Sequence, residues 1–393
     1  MRSSLVKTGC FILEGLNSFA TTFYFYYLYF FMQKQFGFGD KANLVLAAGS
    51  GLVYMFAVWW GGRFAQRAGC FTALKIGFVI MILALAVGTQ LDSATGQVVV
   101  MLATTLGMGF TWPPLEALVS EGETAVRLQQ IIGLYNVVWA GLGALAYFIG
   151  GAMLEKLGLK SLFVVPIAIL VGQLGLILWL ERGIRLTPPG KMVAEEHDVI
   201  AELNPRPIAR AKAFLRMAWL TNPFAYIAIN TLVAVMPGVA GRLGLSTTLA
   251  GFCCSVWCFA RLGAFFALWF WPGWHYRFCW LLGSYLALVV SFAVILVVPS
   301  LAVLVTSQLV FGGALGLIYY SSLFYSMDVG KTKAEHGGIH EATIGLGNFA
   351  GPAVGATALH FLPHSANSSV VAVGALLLCG LGGLLGIWHK TKT

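Results

Sequence analysis

The chain has 393 residues, of which 59% are hydrophobic and only 10% charged, with a formal net charge of +9. Soluble domains carry roughly 25% charged residues, and no water-soluble fold has enough interior to hide this much apolar surface. The composition excludes an ordinary soluble globular protein and places the chain in a lipid bilayer.

About 20 consecutive apolar residues cross a hydrocarbon core as a helix. In chain order the sequence predicts spans over 9–33, 42–61, 71–90, 97–119, 128–152, 161–181, 214–238, 247–270, 277–298, 300–326, 336–361 and 367–388, twelve in all. These runs are continuously apolar rather than alternating with period two, which argues against a β-barrel. The first run continues through Tyr24 to Phe31 with no small-residue cleavage site, so it reads as a span and not as a cleaved signal peptide.

The basic residues fall unevenly about these spans. Eighteen Lys and Arg fall to the side that carries both termini, among them Arg2, Arg63, Arg67, Lys75, Arg277 and Lys390. Five fall to the other side (Lys34, Lys41, Lys156, Lys160 and Arg242), and Arg261 lies within a span. Positive-inside bias then puts both termini in the cytosol, with the inner (plasma) membrane as the expected location. The positive charge is thus a topology signal, and no nucleic-acid partner is expected. Seven cysteines sit in or beside spans; Cys254 and Cys258 have helical spacing but no His or carboxylate nearby, so neither a metal site nor a disulfide framework is expected.

The longest polar stretch, Glu181 to Arg216, divides the chain almost at its midpoint. The expected organisation is a six-helix half over 1–181, a cytosolic linker over 182–212, and a second six-helix half over 213–393. A shift of 207 residues lays Gly37-Phe38-Gly39-Asp40 on Gly244-Leu245-Ser246-Thr247, each at the turn between the first two spans of its half, and Gly109 on Gly316. Parallel repeats of this kind place a substrate site between them, near mid-membrane. Arg206 to Arg216 is basic and partly amphipathic and reads either as part of a solvated tether or as a segment lying along the lipid surface.

The loop after the second span, Gly62-Arg63-Phe64-Ala65-Gln66-Arg67-Ala68-Gly69, resembles the loop 2–3 signature of the major facilitator superfamily. Gly62, Ala65, Arg67 and Gly69 match that signature, and Gln66 stands where its acid would be. Gly351-Pro352-Ala353-Val354-Gly355 in the eleventh span looks like a Gly-Pro-x-x-Gly element that antiporters of the superfamily carry in the fifth. The resemblance implies an all-α integral membrane protein of twelve transmembrane helices in two six-helix parallel repeats, working by alternating access.

Ionisable groups within spans are costly and usually functional. The proton-coupling candidates are Glu14, Glu341, Glu116 and His340, with Arg261 as their charge partner or as the partner of a solute anion. All fall in the half of the membrane towards the termini. Burial penalises a charged carboxylate and a neighbouring guanidinium favours it, so these groups could load and release a proton. Alternatively they form salt bridges that close a gate. His336 and His340 are spaced i,i+4 beside Glu341, but Glu341 points away from that face and no metal is expected. Substrate-cavity candidates are Asn17 and Thr21, which continue the helical face of Glu14, then Tyr24 and Tyr27 beyond them, and Trp139 with the mid-depth amides Asn136, Asn230, Gln308 and Asn348.

No nucleotide-binding signature is present, and no cofactor is expected. The expectation is a secondary transporter of a small organic solute, acting as a monomer in the bilayer and driven by protons. An aromatic, amide-rich lining with few charges favours efflux by antiport. A symporter importing a sugar, nucleoside or similar metabolite fits much of the same sequence. A membrane enzyme using His340 and Glu341, and a transport-incompetent sensor, are the readings from other classes.

Overall fold

The computed structural model describes residues 2–120, 125–185, 208–329, 333–365 and 367–391. The first half comprises α1 (Arg2–Phe36), α2 (Asp40–Ala68), α3 (Cys70–Gly88), α4 (Ala94–Gly109), α5 (Trp112–Ser120), α6 (Ala125–Lys156) and α7 (Ser161–Arg185). The second comprises α8 (Ile208–Arg242), α9 (Thr247–Cys254), α10 (Val256–Phe270), α11 (Phe278–Val297), α12 (Leu301–Val329), α13 (Lys333–Phe361) and α14 (Ser368–Lys390). Twelve crossings result, because α4 with α5 and α9 with α10 are each one span broken part-way. Both ends of the chain therefore lie at one end of the bundle, called the terminal end below, with the distal end opposite.

Among the described residues, ten spans are long and apolar enough to cross a membrane by length and composition alone. The other two, α1 and α13, run for 35 and 29 residues but mix their apolar side chains with Tyr, Gly, His and carboxylates. They are the helices that carry Glu14 and Glu341. Residues 186–207 of the expected linker lie outside the described residues. The basic segment up to Arg216 is no separate surface helix, since α8 is continuous from Ile208 and already buries Ala213, Phe214, Leu215 and Met217.

The two broken spans have local causes. Pro113 and Pro114 lack N–H groups, and their rings clash with carbonyls four residues back. The chain accordingly turns at Phe110 and Thr111, whose N–H groups bond the carbonyls of Gly107 and Met108 at 3.0 Å each. Asn17 Nδ2 donates to Thr111 Oγ1 at this break (3.2 Å). The break at Ser255 is bound by Gln308: its Nε2 donates to the Cys253 carbonyl (2.8 Å), and its Oε1 accepts the Trp257 N–H (3.5 Å). Backbone groups freed inside a bilayer must find protein partners: the Gln308 amide supplies them at Ser255, while at the first break the Thr111 hydroxyl that Asn17 holds donates to the Met108 carbonyl (2.8 Å).

The repeat is visible in the turns. Gly37 and Gly244, superposed by the 207-residue shift, have φ of 68° and 65°, a region costly for any residue with a Cβ. In the loop 2–3 segment only Gly69 makes a turn, with φ 90°. Gly62, Ala65 and Arg67 all lie inside α2, so Gly62 is a helical residue and not part of the turn.

The halves meet where α2 runs along α13 and where α6 runs along α9 and α10. Small residues permit this approach, as is usual where helices must touch in lipid. A Cβ at Gly51 would strike the backbone of Asn348 and Phe349, and one at Gly151 the Thr247 carbonyl. Polar contacts add to the seam at the distal end: Asp40 with Arg242 (3.5 Å), Lys41 with His360 (3.0 Å), and Thr248 donating to Glu155. The distal end is closed.

Candidate functional site

A cavity of about 170 Å³ lies between the halves, walled by α1, α2, α5 and α6 on one side and by α8, α10, α12 and α13 on the other. Pockets for drug-sized ligands run to roughly 300–1,000 Å³, so this space suits a small solute.

The α1 wall explains one departure from expectation. Thr21 lines the cavity and donates to the Asn17 carbonyl (2.7 Å), but the cavity face then continues through Thr22, Phe25, Tyr26 and Tyr29. Tyr24 and Tyr27 do not line it. Each residue advances about 100° around a helix, so Tyr24 and Phe25 leave Thr21 in opposite directions. Tyr24 turns into the first half against Phe163, and Tyr27 donates its hydroxyl to the Tyr147 carbonyl.

Trp139, Asn230, Asn348, Glu116, Glu341 and Arg261 all line the cavity. Asn17 and Gln308 do not, because each serves a broken helix as described. Asn136 and Glu14 also lie off it; both are fully buried, and the polar side-chain atoms of both lack a hydrogen-bond partner. Glu14 belongs to the interior of the first half, where α1 packs on α6 and α7. The side chain of His340 lies outside the described residues.

The charged groups form two sets. Glu116 comes from the first half and Glu341 from the second, and their carboxyl groups meet at hydrogen-bonding range. Tyr54 donates to Glu341 Oε2 (3.0 Å), and Tyr135 points its hydroxyl at Glu116 Oε1 (3.4 Å). A row of Tyr135, Glu116, Glu341 and Tyr54 therefore crosses the seam on the terminal side of the cavity. Two bare carboxylates cannot occupy such a contact, whereas one proton between them turns repulsion into a hydrogen bond.

Among the described residues, Arg261 is the cation of the cavity wall. Its guanidinium lies over the ring of Trp139 at 4.4 Å and over that of Trp257 at 4.9 Å. Tyr319 stacks on Trp139 (5.4 Å, 13°), and Tyr26 on Trp257 (6.2 Å, 28°), so the charge sits inside a stack of aromatic planes. A desolvated cation–π contact contributes about 2 kcal/mol, less than the several kcal/mol that burying an ion costs. The arrangement holds the charge in place without neutralising it. The pairing of Trp257 with Arg261 could have been found in the sequence from its i,i+4 spacing; Tyr26, Tyr29, Tyr54, Trp112, Tyr226 and Tyr319 had no such signal.

Two helix bundles of six spans, joined in parallel and enclosing a cavity at their interface, are a transporter's architecture. The sequence profile described as Major Facilitator Superfamily matches residues 11–352. The chain belongs to the Major Facilitator Superfamily. A search of curated proteins by sequence returns no match. Among solved structures, the nucleoside transporter NupG superposes with a TM-score of 0.69 at 14% identity, over 98% of this chain and 99% of that one. A structure described by substrate recognition in proton dependent oligopeptide transporters gives 0.71 at 14%, over 99% of each chain. A bacterial homolog of the human lysosomal transporter Spinster, inward-facing and occupied, gives 0.69 at 16%, over 98% of this chain and 97% of that one. At such identities the likeness is one of fold. As a member of this superfamily, the chain is a multi-pass membrane protein and a secondary transporter that moves a small organic solute by alternating access.

Proposed function

We propose that this superfamily member is a proton-coupled symporter that imports a small organic metabolite, with the Glu116–Glu341 contact as its proton site. The observation that carries the reading is that one carboxylate comes from each half, so the state of the proton and the state of the seam are linked. With the proton in place, the halves can meet on the terminal side of the cavity. Without it, and with no cation supplied instead, like charges face each other across the seam and drive it apart. A proton taken up from one side and lost to the other then accompanies the change of access. Glu14, off the cavity, is given no part in this step.

Import is favoured over the efflux expected from the sequence for two reasons. The efflux reading rested on a lining with few charges, but Glu116, Glu341 and Arg261 all face the cavity. The structures of like fold also include one of a nucleoside transporter and one concerned with proton dependent oligopeptide transporters. The excess of basic residues at the terminal end supports a cytosolic terminal end. The closed distal seam then belongs to a state shut to the outside.

The test is external pH in a weakly buffered suspension of right-side-out vesicles on addition of solutes from a metabolite panel. Symport predicts alkalinisation of the medium on solute addition, absent in the Glu341→Gln variant. Acidification of the medium would mean exchange and efflux.

A further inference from the structure

We infer that the solute is a small organic anion, a carboxylate borne on a flat apolar ring, and that Arg261 binds its carboxylate. This rests on the proposed proton-coupled reading and names the solute for the same cavity. Arg261 is only 6% exposed, lines the cavity, and among the described residues makes no hydrogen bond or ion pair; its Nε is buried without a partner. The two indoles that hold it offer π-faces, not oxygen acceptors. The carboxylates that could have paired with it are engaged elsewhere, with each other and with Tyr54 and Tyr135. A guanidinium left with unused donors beside a cavity calls for a planar two-oxygen acceptor, which a carboxylate supplies in bidentate form. Beside Arg261 lie the rings of Trp139 and Trp257, and the cavity wall adds Phe25, Tyr29 and Trp112 to the polar Ser50, Asn230 and Asn348, so aromatic faces are at hand for a ring borne by the carboxylate.

The charge balance of the cavity ties this anion to the proton. With the solute absent and both acids bare, Arg261, Glu116 and Glu341 together carry one net negative charge. A bound carboxylate arriving with one proton leaves that charge unchanged, whereas the anion alone would double it in a desolvated space. Anion and proton therefore favour each other's binding, and by linkage the effect is reciprocal. When both leave, Arg261 is released to offset the bared acids, which lets the empty carrier close and return. Transport is then electroneutral, one anion with one proton.

The experiment uses the purified full chain in lipid nanodiscs, titrated with benzoate, phenylacetate and indole-3-acetate and with the corresponding neutral amides. Binding is followed by calorimetry and by a pH electrode in weak buffer. The inference predicts that at least one acid binds about tenfold or more tighter than its amide, taking up a proton as it binds. Arg261→Gln should remove the preference for acid over amide, and Arg261→Lys should keep part of it; the comparison of acid with amide in the unaltered protein needs no variant to fold. Amides binding as well as acids, or no acid binding at all, overturns the inference. Acid-selective binding without proton uptake at any pH would leave Arg261 as the anion site and overturn the coupling reading. Proton-driven transport of a neutral solute, unaffected in Arg261→Gln, would do the reverse.

Discussion

The two ends of the seam between the halves are built on opposite principles. At the distal end the chain closes with backbone against backbone, Gly151 on Thr247, with the part-exposed Asp40–Arg242 pair at the rim, and Gly51 on Asn348 and Phe349 continues this packing down to the level of the cavity. On the terminal side the halves meet through ionisable groups, Glu116 on Glu341 with a tyrosine at either end, and Arg261 held apart over two indoles. Packing of the first kind depends on shape and is indifferent to pH. A contact of the second kind exists only in the right charge state. In the proposed cycle, proton and solute act on the polar contact, and the small-residue seam supplies a second, passive closure.

The largest effect is expected at the passive seam. Gly151→Val and Gly51→Val place side chains into opposing backbone with no flexible atom to give way, so each should abolish transport while the protein still inserts. Reaction of a cysteine at the distal rim with an impermeant reagent should rise in both variants, and normal transport by either would break the comparison. Next comes the polar contact. Glu116→Gln and Glu341→Gln should each lower gradient-driven accumulation by about tenfold or more, and the double variant should be little worse than either single, because the two acids share one proton. Additive losses, measured as initial uptake rates, would make them independent sites. Glu14→Gln should leave accumulation at the unaltered level, since Glu14 does not reach the cavity.

Smaller effects separate structure from function. Gln308→Ala frees backbone groups at the α9–α10 break and should lower thermal stability by about 1–3 kcal/mol, seen as an earlier melting transition, while the apparent affinity for solute stays put. Weakest is Arg242→Ala. Its pair with Asp40 is half-exposed, and such pairs contribute about 0–1 kcal/mol, so any change in transport rate should be slight.

The fold was written plainly in the sequence because the bilayer demands long apolar runs, and the repeat showed in matched turns such as Gly37 and Gly244. The break at Pro113-Pro114 was also there to read; the one at Ser255, with neither proline nor glycine at the turn, was not. The site was legible only in part. Glu116, Glu341 and Arg261 stood out because a charge in a span is costly wherever it points. The uncharged residues did not, since the central helices are buried on every face and periodicity selects no wall. Asn17 was singled out for continuing the face of Glu14 and Gln308 as a polar group at mid-depth, and polar they must be, but to bind broken helices. Tyr24 and Tyr27 extended a face of α1 on which only Thr21, and neither Glu14 nor Asn17, lines the cavity.

In the proposed function, the proton held between Glu116 and Glu341 couples the two halves. The most direct test of this coupling compares, in proteoliposomes, solute counterflow with uptake driven by an imposed inward proton gradient, for the unaltered protein and for Glu341→Gln. The variant should keep counterflow and no longer respond to the gradient. Gradient-driven accumulation at the unaltered level in Glu341→Gln would contradict it.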